Sequence, residues 1–228
     1  MTRIARIVAP GLPHHVTQRG NRGETIFFEP EDYRLYKDWL AESCRRFGVA
    51  CWAYCLMPNH VHLILTPDDS AGLALALARA HRLYAGFVNA RARQTGHLFQ
   101  GRFGSVAMDE DHLMAAARYV ALNPVRARLV ERAWDWPHSS VRAHLAGRDD
   151  GLVRVQPLID RAPRFADLLD KDPDDPAFDA LRRSELIGRP LGDEAFLDAI
   201  SRRLNRVVTP RKRGRKPKRN VAAAESKG

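Results

Sequence analysis

His60 and His62 stand two residues apart inside the apolar run YCLMPNHVHLIL (residues 54–65), where a sheet core would take Val or Ile. On a strand, residues two apart point to the same face, so the two imidazoles stand side by side while Val61, Leu63 and Leu65 face the other way. Neutral imidazole is a good ligand for a divalent metal, and an i, i+2 pair converges on one ion. The same spacing also suits a surface strand with two solvated histidines, so chemistry requires a third ligand and a reactive partner. Tyr119 and Asn123, four apart on a helical stretch, offer both. Taken alone, a helical tyrosine is equally a half-buried packing residue. Cys44, Cys51 and Cys55 are odd in number and lack C-x-x-C spacing, and they read as reduced, buried thiols.

These residues need elements to position them, and the sequence supplies a clear order. HHVTQRG is a short β-like run closed by Gly20 and the turn residues Asn21, Arg22 and Gly23. A helix follows, with Tyr33, Tyr36, Leu40 and Cys44 at helical spacing, acids after Pro30 and a stop at Gly48. VACWAYCLM and HVHLILTP are two strands joined by Pro58 and Asn59. A second helix carries the stripe Leu73, Leu77, Ala80, Tyr84 and Phe87. HLFQGRFGSVAM reads as an extended segment with a glycine bend. DEDHLMAAARYVALN reads as a third helix that Pro124 stops. The order β-α-β-β-α-β plus a helix predicts an α+β, ferredoxin-like antiparallel sheet with helices on one face and the other face open to a ligand.

Charge separates the rest of the chain. Residues 1–148 carry 19 Lys/Arg against 13 Asp/Glu, residues 149–201 carry 7 against 13, and residues 202–228 carry 11 against 1. The last block alone matches the net charge of +10. Such an arm seeks anions, most often nucleic acid, although a solubilising tail has the same composition. The expected organisation is a domain over 1–148, an acidic linker and small helical extension over 149–206, and a disordered basic tail over 207–228. Apolar runs such as HVHLIL are far shorter than the roughly 18 to 20 residues of a membrane span, and MTRIARIVAPGLP lacks a signal-like apolar stretch. A cytoplasmic protein without membrane contact is expected.

The segments HVTQRGNRGETIFF, AYCLMPNHVHLIL, GHLFQGRF and RYVALNPVRARLV, followed by WDWPHSSVRAHLAG, occur in the order seen in one family and cover roughly residues 3–147. In these the chain resembles the single-tyrosine HUH transposases of bacterial insertion sequences, in particular the REP-associated tyrosine transposases. The resemblance implies an endonuclease of ferredoxin-like fold acting on single-stranded DNA beside an imperfect hairpin, at the bacterial nucleoid. His60 and His62 match its metal-binding histidines, Tyr119 its nucleophile, and Asn123 the polar residue one turn later that supplies a third metal ligand. Many relatives carry Gln at that position. The implied cofactor is Mg²⁺ or Mn²⁺, and the implied assembly is a monomer or homodimer, with Tyr119 serving its own histidines or those of a partner chain.

The residues suit that chemistry. A bound divalent ion acts as Lewis acid and template on a phosphodiester. Tyrosine attack on phosphorus keeps the bond energy for rejoining. A free phenol, with a pKa of about 10, is ionised only about one part in a thousand at pH 7, so metal or a positive field must assist. Arg19, Arg22, Arg102, Arg118, Arg126 and Arg128 flank the proposed elements and could hold phosphates. In the tail, KRGRKPK resembles an AT-hook, with Arg213, Gly214 and Arg215 placed for the minor groove of A·T-rich duplex. Lys216 intervenes before Pro217, and non-specific phosphate binding is the simpler use of the same charge. Two other readings compete: a transposase-derived protein that binds a DNA hairpin without cutting it, and an unrelated H-x-H metallohydrolase. The latter needs a longer chain and later His and Asp ligands, which are not found.

Overall fold

The sheet begins at β1 (His14–Arg19), and the chain returns through α1 (Pro30–Arg46) into the hairpin β2 (Val49–Met57) and β3 (His60–Pro67). α2 (Gly72–Ala92) then leads to the short β4 (Gly104–Ala107). All four strands are antiparallel in the order β2-β3-β1-β4, the ferredoxin-like topology expected from the strand–helix order. α3 (Glu110–Arg126) follows, then the short α4 (Val141–Leu145) and α5 (Gln156–Ile159), then α6 (Ala177–Ile187) and α7 (Glu194–Arg203). The computed structural model describes residues 6–170 and 177–209, so Arg213, Gly214 and Arg215 of the basic tail lie outside the described residues. Among the described residues, no helix is long and apolar enough to cross a membrane.

α1 shows how locally the helices are fixed. The Asp32 carboxylate accepts the backbone N–H groups of Phe28 and Glu29, completing a capping box, and Pro30 fills the first turn. Asp32 is fully buried, and Arg91 at the end of α2 grips both its oxygens at 2.7 and 2.8 Å. Burial alone would raise this carboxyl, but the Arg91 and backbone hydrogen bonds outweigh it and hold the group below the usual range. One side chain thus starts α1 and ties it to α2.

α1 and α2 pack together on one face of the sheet, over Val16, Tyr54, Leu56, Val61, Leu63 and Leu65. A bulge at Trp52 makes this possible. Cys51 pairs with Leu65 and Ala53 with Ile64, leaving Trp52 as the extra residue. Odd positions up to Cys51 therefore face α1 and α2, and even positions from Tyr54 onward do so.

The second face is not open as expected. α3 crosses it, over Ala53, Cys55, Met57 and Ile64, and α6 lies against α3. α3 starts at Asp109, whose carboxylate accepts the His112 N–H at 2.9 Å. It does not stop at Pro124. A proline so near the C-terminus removes only one hydrogen bond, and the helix continues to Arg126, with the Ala127 N–H on Asn123 O at 3.0 Å. Only Gly104–Ala107 of the segment expected to be extended is a strand; the chain before it is a loop.

The described part of the stretch read as a linker is packed. Leu152, Val153 and Val155 join the first core, and Phe165, Phe178 and Leu181 join the second. Its acids have structural work: Asp150 caps the Leu152 and Val153 N–H groups and accepts from the Tyr54 hydroxyl. α7 closes a third small core with Ile7, Ala9 and Val208.

Candidate active site

The β2–β3 turn is built to hold His60. Gly20 N–H donates to Asn59 O at 2.8 Å and Ile26 N–H to Pro58 O at 2.8 Å, so the 20–26 segment braces the turn from outside. The Asn59 amide donates to Gly23 O at 3.0 Å, and its Oδ1 lies 2.6 Å from His60 Nδ1. Gly20 is needed here for space, because a Cβ would meet Glu24 O at 2.1 Å.

Strand register sets the rest of the face. Thr17 lies opposite His62 and Arg19 opposite His60, so the alternate residues His15, Thr17 and Arg19 share the histidines' side. His15 Nε2 is 3.1 Å from His62 Nδ1, and the two rings stack at 5.2 Å with 13° between planes. His60 and His62 sit edge to face at 4.9 Å.

α3 delivers the remaining groups. The Tyr119 ring stands perpendicular to His62, with centroids 5.2 Å apart, and 5.9 Å from His15. Asn123, one turn on, hydrogen-bonds His60. Residues near 60 and near 120 are thereby brought into one cluster of a single chain. His62, Tyr119 and Asn123 are 3%, 6% and 6% exposed, while His60 is half-buried at the rim. Phe178 of α6 packs against the Tyr119 ring at 5.2 Å, and the Arg126 guanidinium lies 4.9 Å from the Tyr119 centroid.

The histidines are neutral at pH 7. Burial pulls His60 down to about 4, the Arg19 charge adds to this, and the Asn123 hydrogen bond opposes it. Burial also holds His62 well below its ordinary value, followed by the neighbouring imidazoles, Arg19 and Arg126, and it pulls His15 to about 4. Each ring therefore keeps a lone pair, with the Arg19 charge beside His60 and the Arg19 and Arg126 charges beside His62.

Among the described residues there is no group of three His, Cys, Asp or Glu able to hold a metal. The donors here are two imidazoles and an amide, and they fit a divalent cation. The Nδ1 atoms of His60 and His62 face Asn59 and His15. Asn123 already reaches His60. His15 and Phe178 complete the cluster without any local signal in the sequence. HHV read only as a strand, and nothing short of the β1–β3 register brings His15 against His62.

The profile of the family described as "Transposase IS200 like" matches residues 11–123. A Haemophilus influenzae protein assigned as a REP-associated tyrosine transposase is 26% identical over 131 residues, covering 51% of this chain and 74% of that protein. A solved structure of a REP-associated tyrosine transposase bound to a REP hairpin aligns with a TM-score of 0.53 at 21% identity, covering 68% of this chain and 90% of that one. That likeness establishes the shared fold. Residues 11–123, the stretch that matches the IS200-like transposase family, hold the whole histidine–tyrosine cluster.

Proposed function

We propose that the chain is a DNA strand transferase that cleaves and rejoins single-stranded, hairpin-associated DNA through Tyr119. The observation that carries this reading is the Tyr119 ring set 5.2 Å from His62 in the same chain, with Asn123 on His60. A tyrosine kept only for packing has no need of two neutral histidines, an amide and two arginines around it.

When bound by His60, His62 and the Asn123 amide oxygen, Mg²⁺ or Mn²⁺ supplies Lewis acidity at the scissile phosphate. Arg19 and Arg126 add fixed positive charge to the same face and favour a phosphate there. The Tyr119 oxygen attacks phosphorus and the bond to the 3′-oxygen breaks, giving a 5′-phosphotyrosine and a 3′-hydroxyl. The phenol proton passes to solvent and the leaving oxygen takes one from it. Attack by a 3′-hydroxyl reverses the step and rejoins the strand, regenerating the phenol. Asn59 and His15 hold the two histidines in place from behind.

Incubation with hairpin-bearing single-stranded DNA and Mn²⁺ is expected to give a covalent adduct on a denaturing gel. Tyr119→Phe should reduce it by at least about a thousandfold, as removal of a nucleophile does. Tight binding by wild type without any adduct would leave a hairpin-binding protein and end the catalytic reading.

A further inference from the structure

A cleft of about 450 Å³ opens on the other side of the sheet from His62, between α2 and the 96–103 loop. Its volume lies in the range of about 300–1,000 Å³ typical of small-ligand sites, enough for one nucleotide and too little for a duplex. Arg6, Arg82 and Arg102 line it, and no Asp or Glu is among the described residues that do. Ala74, Ala78 and Ala85 give α2 a flat, apolar floor there. The wall is aromatic: the Phe99 ring lies 4.5 Å from His81, tilted by 34°, and the Arg6 guanidinium lies 3.6 Å over the Phe103 ring. His81 is uncharged, since burial pulls it to about 3, and its Nε2 is 3.1 Å from the Tyr36 hydroxyl. Burial and then the Arg102 charge hold the Arg6 guanidinium below its ordinary value. An anion seated among these arginines relieves that repulsion.

The cleft is joined to the candidate active site through the backbone. Gly20 N–H donates to Asn59 O, Asn21 N–H to Leu98 O, and Gln100 N–H to Arg19 O. The end of β1 is thus sandwiched between the His60 turn and the cleft loop. Two strand spacings, about 10 Å, separate them. Gln18 and Arg19 are consecutive, the first lining the cleft and the second facing His60.

We propose that this cleft holds one unpaired nucleotide of the DNA strand engaged at His60 and His62, its phosphate among Arg6, Arg82 and Arg102 and its base on Phe99. The site rests on the strand-transfer reading for the identity of its ligand. Cationic grooves with aromatic walls hold single strands without needing to read their sequence. The strand rounds the sheet edge at residues 98–101 to pass from one face to the other.

The full chain carrying Tyr119→Phe, which cannot form the adduct, provides the background for the test. Two probes are compared: a DNA hairpin with an unpaired flank, and the same hairpin cut blunt. Changing Arg82 and Arg102 together to Ala is expected to weaken flanked-hairpin binding about tenfold and to lower the salt slope by about 0.7, one single-strand phosphate's worth. Blunt-hairpin affinity and the urea midpoint should stay unchanged. Iodouridine placed along the flank should photocrosslink to Phe99 at one position. Equal losses on both probes, no loss on either, or crosslinks confined to other residues would overturn the proposal. If wild type forms no adduct but the flank-dependent loss is seen, the cleft stands and the catalytic reading falls. If the adduct forms and the double variant binds the flank normally, the cleft alone falls.

Discussion

The two faces of the β2-β3-β1 sheet are made by alternate residues of the same strands, yet they are built on opposite principles. Toward α1 and α2 the strands present Val16, Leu56, Val61, Leu63 and Leu65, sealed by Tyr36, Tyr84 and Phe27. Toward α3 they present His15, Thr17, Arg19, His60 and His62 beneath Tyr119, Asn123 and Arg126. The first face gains stability from apolar burial. The second buries imidazoles and an amide, groups that cost free energy to desolvate unless hydrogen-bonded, and it satisfies them pairwise. The proposed strand-transfer chemistry lies on the face less suited to apolar packing.

The sharpest way to separate the faces is to truncate one side chain on each. Leu63 is fully buried among apolar neighbours, and Leu63→Ala should cost about 3 kcal/mol in urea denaturation. Its Mn²⁺ affinity should remain that of wild type under conditions where it is folded. A loss below about 1 kcal/mol would show that the first face is not close-packed.

On the second face, His15→Ala is expected to weaken Mn²⁺ binding about ten- to a hundredfold in an electron paramagnetic resonance titration, since it removes the partner that orients His62. His15→Gln, whose amide still accepts a hydrogen bond, should recover part of that affinity. Equal affinity in all three proteins would reduce His15 to a packing residue.

The smallest effect concerns a histidine on the structural side. His14 Nδ1 faces Leu12 O at 2.8 Å and its Nε2 accepts the Ala9 N–H at 3.1 Å, so only the neutral ring satisfies both, and burial pulls it to about 4. Above pH 6.5 both folded and unfolded forms are neutral and His14 adds no pH dependence. Below it the unfolded chain takes the proton first, so stability falls with pH until about 4, by about 1 kcal/mol per unit. His14→Gln should flatten the slope of stability between pH 6 and pH 5 by that amount; an unchanged slope would contradict it.

Much of this was legible in the chain itself. The two hairpin strands run as VACWAYCLM and HVHLILTP predict, because alternation and the Pro58-Asn59 turn are local signals. The i, i+2 and i, i+4 spacings likewise placed His60 with His62 and Tyr119 with Asn123 on shared faces. What stayed hidden depends on contacts distant in sequence. His15 meets His62 across 47 residues, through a register that no local pattern encodes. The closing of the second face by α3 and α6 depends on Phe178, which falls in the acidic stretch that reads as a linker. Pro124 misled for a related reason: local chemistry ends a helix there, but burial of Leu122, Asn123 and Pro124 carries it on.

The extra residue at Trp52 has a consequence for how this sequence can change. Because Trp52 is the unpaired residue, deleting it would bring the Cys51–Leu65 and Ala53–Ile64 pairs together in an ordinary ladder, with Val49 and Cys51 still turned toward α1 and α2. Deleting Cys55 or Leu56 instead, with the hairpin turn fixed, would turn every residue before it to the opposite face. Loss of length is therefore tolerable at the bulge and not nearer the turn.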